Sequence, residues 1–286
     1  MRRETNFGDL PKENSRLATA KIVVVPVPFD GTSTWVKGAD KGPAAIIEAS
    51  ANMELYDIES GSEPFKHGIY TAEPISEKKS PEKLAAMVEA SVSNILERKK
   101  FPVLLGGEHS ISIGAIQACA KKYENLSVLQ LDAHADTREI YDGSKYNHAC
   151  VMARARELCS IVQVGTRSMD SCEVKKQDKS RIFFAENIQG RSDWHNKAIS
   201  KLCRKVYLTI DLDVFDPGIL PSTGTPEPGG LGWYEVLDFL KKVIGTRELV
   251  GLDVVELCPN KQEKSSDFLA AKLIYKLLSY KFGAIK

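Results

Sequence analysis

The chain contains the stretch Val128-Leu129-Gln130-Leu131-Asp132-Ala133-His134-Ala135-Asp136. It is an apolar run that ends in three side chains able to bind metal ions. On an extended backbone, side chains two residues apart point to the same side. We therefore expect Asp132, His134 and Asp136 to converge on one spot just beyond the end of a strand.

A second apolar run repeats this arrangement, because residues 206–210 lead directly into Asp211-Leu212-Asp213. A single aspartate after a strand is more often a turn residue or a helix cap than a metal ligand. Burying four carboxylates around one imidazole without a cation would be severely unfavourable, because like charges repel and each buried carboxylate loses its hydration. Such a ligand set suits Mn²⁺ and similar hard or borderline ions, and carboxylates can bridge two metal ions about 3.5 to 4 Å apart that activate water.

Length and composition limit the class of protein. With 286 residues the chain is long enough to bury a substantial core, and we expect residues 1–286 to form a single domain. Its 39 basic and 38 acidic residues leave a formal charge of +1, so nothing indicates a nucleic-acid or membrane partner. The six cysteines form no C-x-x-C pair, and no apolar run approaches the roughly twenty residues of a membrane span. We therefore expect a cytoplasmic protein that acts on a small molecule.

Short apolar runs alternate with segments of helical periodicity, which is typical of a parallel α/β sheet covered by helices on both faces. The predicted strands are residues 21–28, 101–106, 126–132, 161–165, 181–185, 205–211 and 248–254. The spacing of apolar residues predicts a helix over residues 81–96 with Ser80 as N-cap. It predicts a second helix from residue 233 that stops at Gly245, and a final one along residues 269–278.

Three further candidates follow predicted strands, at the edge where open α/β sheets bind ligands. His109 lies in Gly106-Gly107-Glu108-His109-Ser110, where the glycines permit a sharp turn. His148 lies in a later loop, and Glu256 follows the last strand. Taken alone, His148 is as readily a structural histidine as a functional one.

Together, these motifs resemble those of the ureohydrolases, the arginase and agmatinase family. The motifs are Gly-Gly-Glu108-His109-Ser110, Asp132-Ala133-His134-Ala135-Asp136, Asp211-Leu212-Asp213-Val214-Phe215-Asp216-Pro217, Gly224-Thr225-Pro226-Glu227-Pro228-Gly229-Gly230 and Glu256. The resemblance covers the chain from about residue 21 to the final helix. It implies a three-layer α/β/α fold around a mostly parallel sheet, two Mn²⁺ ions per chain, and a homotrimer or homohexamer.

The resemblance also implies a role for each site residue. One ion would be held by His109, Asp132, Asp136 and Asp211, and the other by Asp132, His134, Asp211 and Asp213. Water activated by the ions would attack the guanidinium carbon of the substrate, and Asp136 would relay a proton to the departing amine. His148 matches the proton-shuttle histidine of the family. Glu256 matches the carboxylate that pairs with the guanidinium group.

The loop of residues 137–147 bears on the identity of the substrate. It lacks the Asn- and Ser-rich pattern of arginases, so arginine is disfavoured. Glu139 or Asp142 can meet a distal ammonium group, which favours agmatine, hydrolysed to urea and putrescine in polyamine biosynthesis, as the first choice, with an aminopropyl-agmatine as an alternative. Arg138 and Lys145 would instead suit guanidinobutyrate, and full solvation of all four side chains is an equal alternative.

Two alternative functions, from other classes of protein, are also compatible with the sequence. A deacetylase-like enzyme would use a single zinc ion, so the number of bound ions would distinguish it. A non-catalytic polyamine or guanidine sensor would bind the ligand without releasing urea.

Overall fold

The computed structural model describes residues 6–175 and 177–283. Within these residues the strands are β1 (Ile22–Val27), β2 (Ile69–Thr71), β3 (Phe101–Gly106), β4 (Leu126–Leu131), β5 (Ser160–Val164), β6 (Ile182–Phe183), β7 (Lys205–Asp211) and β8 (Glu248–Val255). The helices are α1 (Gly42–Ser50), α2 (Pro81–Glu97), α3 (Ile111–Lys122), α4 (Val151–Arg156), α5 (Ser171–Val174), α6 (Ala185–Ile188), α7 (His195–Ser200), α8 (Trp233–Thr246) and α9 (Ser265–Phe282). None of the helices in this part of the chain is long and apolar enough to cross a bilayer.

All eight described strands lie in one parallel sheet with the order β2-β1-β3-β8-β7-β4-β5-β6. Alternate residues of a strand pack on opposite faces of this sheet. Val23 and Val25 of β1 join a core formed with α2, α3 and α4, whereas Ile22 and Val24 join the core under α1, α8 and α9. The α/β class and the three-layer arrangement are therefore confirmed, and we retain the prediction of a single domain.

The predicted strands match the structure within one residue at each end, except for β6, which is confined to Ile182–Phe183. The edge strand β2 was not predicted, because three residues are too few to show an alternating pattern. Ser80 caps α2 as expected, since its Oγ accepts a hydrogen bond from the Lys83 N–H at 3.1 Å. The predicted end of the second helix at Gly245 is wrong. The helix α8 continues to Thr246 and ends where Arg247 becomes extended.

A cluster of ion pairs fastens the segment 57–62 onto α9. Lys276 Nζ lies 2.9 Å from Asp57 Oδ2 and 2.5 Å from Glu59 Oε2, and its side chain is only 9% exposed. Burial alone would raise the pKa of Asp57, but hydrogen bonds from Lys276 and Ser60 lower it below its ordinary value. The pairing therefore stabilises the fold above the ordinary pKa of aspartate, and this contribution is lost as the pH falls.

Replacing Lys276 by methionine should lower the free energy of unfolding by about 3 kcal/mol at pH 7, because it leaves the Asp57 carboxylate buried without a cation. Urea unfolding followed by circular dichroism measures this loss. The matched control is Lys241→Met, since Lys241 also contacts Glu59, at 2.7 Å, but its side chain is 41% exposed. That variant should lose at most about 1 kcal/mol. Equal losses in the two variants would contradict the stabilising role that we assign to the buried ion pair of Lys276.

Candidate active site

The predicted site residues meet at the carboxyl end of the four central strands. The strands β3, β8, β7 and β4 are consecutive neighbours in the sheet. The residues that follow them are His109 after β3, Glu256 after β8, Asp211 and Asp213 at the end of β7, and Asp132, His134 and Asp136 after β4. Because parallel strands end at the same edge, residues far apart in the sequence come together there.

The first group of ligand atoms surrounds His109. Its Nδ1 atom lies 3.1 Å from Asp132 Oδ2, 2.9 Å from Asp136 Oδ2 and 3.5 Å from Asp211 Oδ2. His109 and Asp132 are almost completely buried. This arrangement of one imidazole and three carboxylates is suited to a divalent cation.

The second group surrounds His134. Its Nδ1 atom lies 2.8 Å from Asp213 Oδ2 and 3.6 Å from Asp132 Oδ1. The ligand atoms of Asp132, His134 and Asp213 all lie within 4.8 Å of one another. Asp132 therefore presents Oδ2 to the first group and Oδ1 to the second, as a bridging carboxylate would.

The electrostatics of the site indicate that cations belong there. Burial, followed by the charge of Asp132, raises the pKa of Asp136 to about 7. Burial, followed by the charges of Asp213 and Asp132, raises the pKa of Asp211 well above its ordinary value. His109 Nδ1 is buried among these carboxylates and makes no hydrogen bond. Divalent ions would remove the repulsion and accept the lone pair of this nitrogen, so the residues present fit a metal centre.

A hydrogen-bond chain behind His109 determines which ring nitrogen faces the carboxylates. Asp253 accepts hydrogen bonds at 2.6 Å from both the Tyr207 hydroxyl and the Thr209 hydroxyl. The single Thr209 proton is thereby used, so Thr209 Oγ1 accepts from His109 Nε2–H, at 2.9 Å. In the neutral imidazole this hydrogen bond leaves Nδ1 unprotonated, as a metal ligand requires. The sequence alone did not reveal this chain of hydrogen bonds, although Asp253, an aspartate inside the apolar strand β8, is a signal for it.

The backbone is strained at two of the site residues. Asp136 and Glu256 have φ values of 52° and 65°, in the left-handed region that residues other than glycine seldom adopt. Each is held there by the surrounding structure. The Asp136 carbonyl accepts from the Met152 N–H at 2.9 Å, and Glu256 Oε1 accepts from the His109 N–H at 2.7 Å. Such strain is most often found at functional sites.

His148 lies at the wall of the site, in the short 3₁₀ turn His148–Cys150. Thr32 Oγ1 is 3.1 Å from its Nδ1 atom and accepts a hydrogen bond from its backbone N–H at 3.0 Å. Burial of the imidazole is the largest cause that lowers the pKa of His148, to about 4. The imidazole is therefore neutral at pH 7 and able to accept a proton.

A cavity of about 300 Å³ opens above the two ligand groups. The residues of the predicted site that line it are His109, His134, Asp136, His148, Asp211, Asp213 and Glu256. Neither Glu139 nor Asp142 is among the described residues of the lining. Glu139 instead pairs with Arg154 at 2.9 Å and with Arg156. Since these arginines already neutralise its carboxylate, the structure does not support a contact between Glu139 and a distal ammonium group.

Other acidic residues line the cavity instead, and they come from the segment after β5. Asp170 and Glu173 both belong to the lining. Glu173 is buried and accepts hydrogen bonds at 2.8 Å from the N–H and the hydroxyl of Thr137, which ties this segment to the loop after β4. The Asp170 side chain is 45% exposed and lies 3.8 Å from Arg138. Asp170 is thus the carboxylate of this segment that solvent and ligands can reach.

Comparison with known proteins shows relatives along almost the whole chain. The family model described as the arginase family matches residues 20–279. The N(1)-aminopropylagmatine ureohydrolase of Synechocystis sp. is 40% identical over 274 residues, which are 92% of this chain and 90% of that protein. The agmatinase of Pyrococcus horikoshii is 33% identical, over 90% of each chain.

A solved structure agrees with these relatives. The agmatine ureohydrolase of Thermoplasma volcanium superposes with a TM-score of 0.84 at 33% identity, and the match covers 92% of this chain and 90% of that one. On these grounds the chain belongs to the arginase family of ureohydrolases, hydrolases that act on guanidino compounds.

Proposed function

We propose that the protein hydrolyses the guanidinium group of a linear guanidino-amine, with N(1)-aminopropylagmatine as the first candidate substrate and agmatine as the second. One observation carries this proposal. A single cavity is lined by Glu256, by the acidic residues Asp170 and Glu173 of the segment after β5, and by five of the six predicted metal ligands, namely His109, His134, Asp136, Asp211 and Asp213. Relatives whose names specify aminopropylagmatine are 40% and 36% identical to the chain, against 33% for the agmatinase of Pyrococcus horikoshii. This order of similarity supports the longer substrate.

The proposed reaction balances without any further reactant. Water and the guanidinium cation R–NH–C(NH₂)₂⁺ give urea and the ammonium R–NH₃⁺. The bond between the guanidinium carbon and the alkyl nitrogen breaks, and the water oxygen remains on the urea carbon. Aminopropylagmatine would therefore yield spermidine, and agmatine would yield putrescine.

Two Mn²⁺ ions would be held by the six ligands that the sequence predicts, His109, Asp132, His134, Asp136, Asp211 and Asp213. When bound, they would lower the pKa of a water molecule so that it attacks at neutral pH. Glu256 would bind and orient the guanidinium group through a charge-assisted pair. We assign to Asp136 the relay of a proton from water to the departing amine, and to the neutral His148 the role of a proton shuttle at the wall of the site. Cytoplasmic location and a trimeric or hexameric assembly stay predictions.

A urea-release assay on the Mn²⁺-loaded protein tests the proposal. The substrates to compare are N(1)-aminopropylagmatine, agmatine, arginine, guanidinobutyrate and formimino-glutamate. We expect urea from the first two, with kcat/KM for arginine lower by at least about tenfold, because its carboxylate would face Asp170. A higher kcat/KM for arginine or guanidinobutyrate would overturn the substrate assignment. Ligand binding with no urea from any of them would favour the sensor.

A further inference from the structure

Trp35 lies among the residues that line the active-site cavity, and it is 71% exposed. Val36, the next residue, also lines the cavity and is 41% exposed. Single exposed apolar residues are common on protein surfaces and need no explanation. Two adjacent ones that line the active-site cavity are positioned to touch any substrate that extends out of it.

The loop that carries Trp35 is fastened on both sides. Asp30 Oδ2 accepts a hydrogen bond from the Gly38 N–H at 2.6 Å, which closes the loop at its base. Thr32 contacts His148 before the tryptophan, and the Cys258 thiol donates to the Lys37 carbonyl at 3.4 Å after it. The indole is thus presented from an ordered backbone. Little conformational entropy is lost when a ligand packs against such a group.

The charge and aromatic character of the lining favour a cationic ligand near Trp35. Asp170 and Glu173 both lie within 4 Å of Arg138, and the three side chains together carry one net negative charge. Arg138 already lies over the ring of Tyr141, the other large aromatic residue of the lining, at 4.3 Å from its centre. No lysine or arginine within residues 6–175 and 177–283 lies over the Trp35 indole in this way. Its face is therefore available to a cation from the ligand.

From this we infer that Trp35 is a specificity-determining residue, whose indole packs against the aminopropyl extension that distinguishes N(1)-aminopropylagmatine from agmatine. This inference rests on the proposed function. The extension adds three methylene groups and one more ammonium group, and an indole face is suited to both. Trp35 lines the same cavity as Glu256, the residue that would hold the guanidinium group. The shorter agmatine has no such extension to place there.

Steady-state kinetics with both substrates test the inference. Trp35→Leu removes the aromatic face but keeps an apolar side chain. We expect it to lower kcat/KM for N(1)-aminopropylagmatine by about 3- to 20-fold through KM, and to change the value for agmatine by less than about twofold. Trp35→Tyr should restore most of the loss. The matched control is Tyr234→Leu, since Tyr234 is 75% exposed on α8, is not a lining residue of this cavity, and should affect neither substrate.

A second measurement does not depend on turnover. Spermidine should change the tryptophan fluorescence of the unmodified protein at lower concentrations than putrescine does, and this difference should vanish in Trp35→Leu. Equal effects of Trp35→Leu on both substrates, or an unchanged preference between them, would overturn the role of Trp35 while leaving the proposed function intact. Absence of urea release from every guanidino-amine would instead overturn the proposed function, and the fluorescence titration would still decide whether Trp35 contacts the polyamine.

Discussion

Replacing Asp132 by asparagine should abolish most of the activity, with kcat reduced by about 10³-fold or more. Asp132 presents one oxygen to each ligand group, 3.1 Å from His109 Nδ1 and 3.6 Å from His134 Nδ1. An amide offers one weaker oxygen ligand and no charge, so it cannot bridge two cations. The activation of water by the ions, which supplies several kcal/mol to the barrier reduction, would be lost with it.

Metal analysis of the Mn²⁺-reconstituted protein supplies the direct measurement. We expect close to two ions per chain in the unmodified protein and at most one in Asp132→Asn, with the circular dichroism spectrum unchanged. Asp213→Ala affects one ligand group alone and should raise the Mn²⁺ concentration needed for activity. Asp238→Asn, an exposed substitution on α8, is the control and should retain both ions. A firm value of one ion in the active, unmodified protein would disprove the binuclear site.

His148→Phe should retain both ions but lower kcat by about 10²- to 10⁴-fold, the usual contribution of a positioned proton-transfer group. Phenylalanine keeps a planar ring between Thr32 and Tyr141 while removing both ring nitrogens. Because the pKa of His148 is lowered to about 4, the wild-type imidazole is neutral across the neutral pH range. The loss of rate should accordingly be similar at every pH from about 6 to 9.

The matched control for this variant is His195→Phe. His195 is also buried, but it lies in α7 against Trp194 and does not line the cavity. Urea release by this control should stay within about twofold of the unmodified rate. If His148→Phe has the same small effect with the metal content preserved, His148 is a structural histidine and its catalytic assignment is wrong.

Much of the site was predictable because its signals are local. Asp132, His134 and Asp136 are spaced two residues apart after a buried strand, and Asp211 and Asp213 repeat the pattern. Both groups directly follow buried strands, and parallel strands end at the same edge of a sheet, so the sequence places these side chains together even though Asp136 itself is not extended. The structure does bring these predicted ligands together. Edge strand β2 escaped prediction because three residues carry no periodic signal.

The part of the cavity that would contact the end of the substrate away from the guanidinium group was less predictable, because it depends on contacts between separate loops. Glu139 is an acidic residue in the expected loop, yet it pairs with Arg154 from α4. Asp170 and Glu173, from the segment after β5, line the cavity in its place. Nothing in the spacing of these residues shows which carboxylate meets an arginine and which meets solvent.

The sequence by itself determined the fold class, the order of the strands along the chain and the candidate metal ligands, since periodicity and spacing encode which side of a strand each residue occupies. Only the tertiary structure decided which ring nitrogen of His109 faces the carboxylates. His109 contacts Thr209, which lies 100 residues away in the sequence, and Thr209 in turn donates to Asp253. The tertiary structure likewise decided which charges face the cavity and placed Trp35 at its wall. The physical reason is that a side chain's partners depend on how distant segments pack, and packing is a property of the folded chain as a whole.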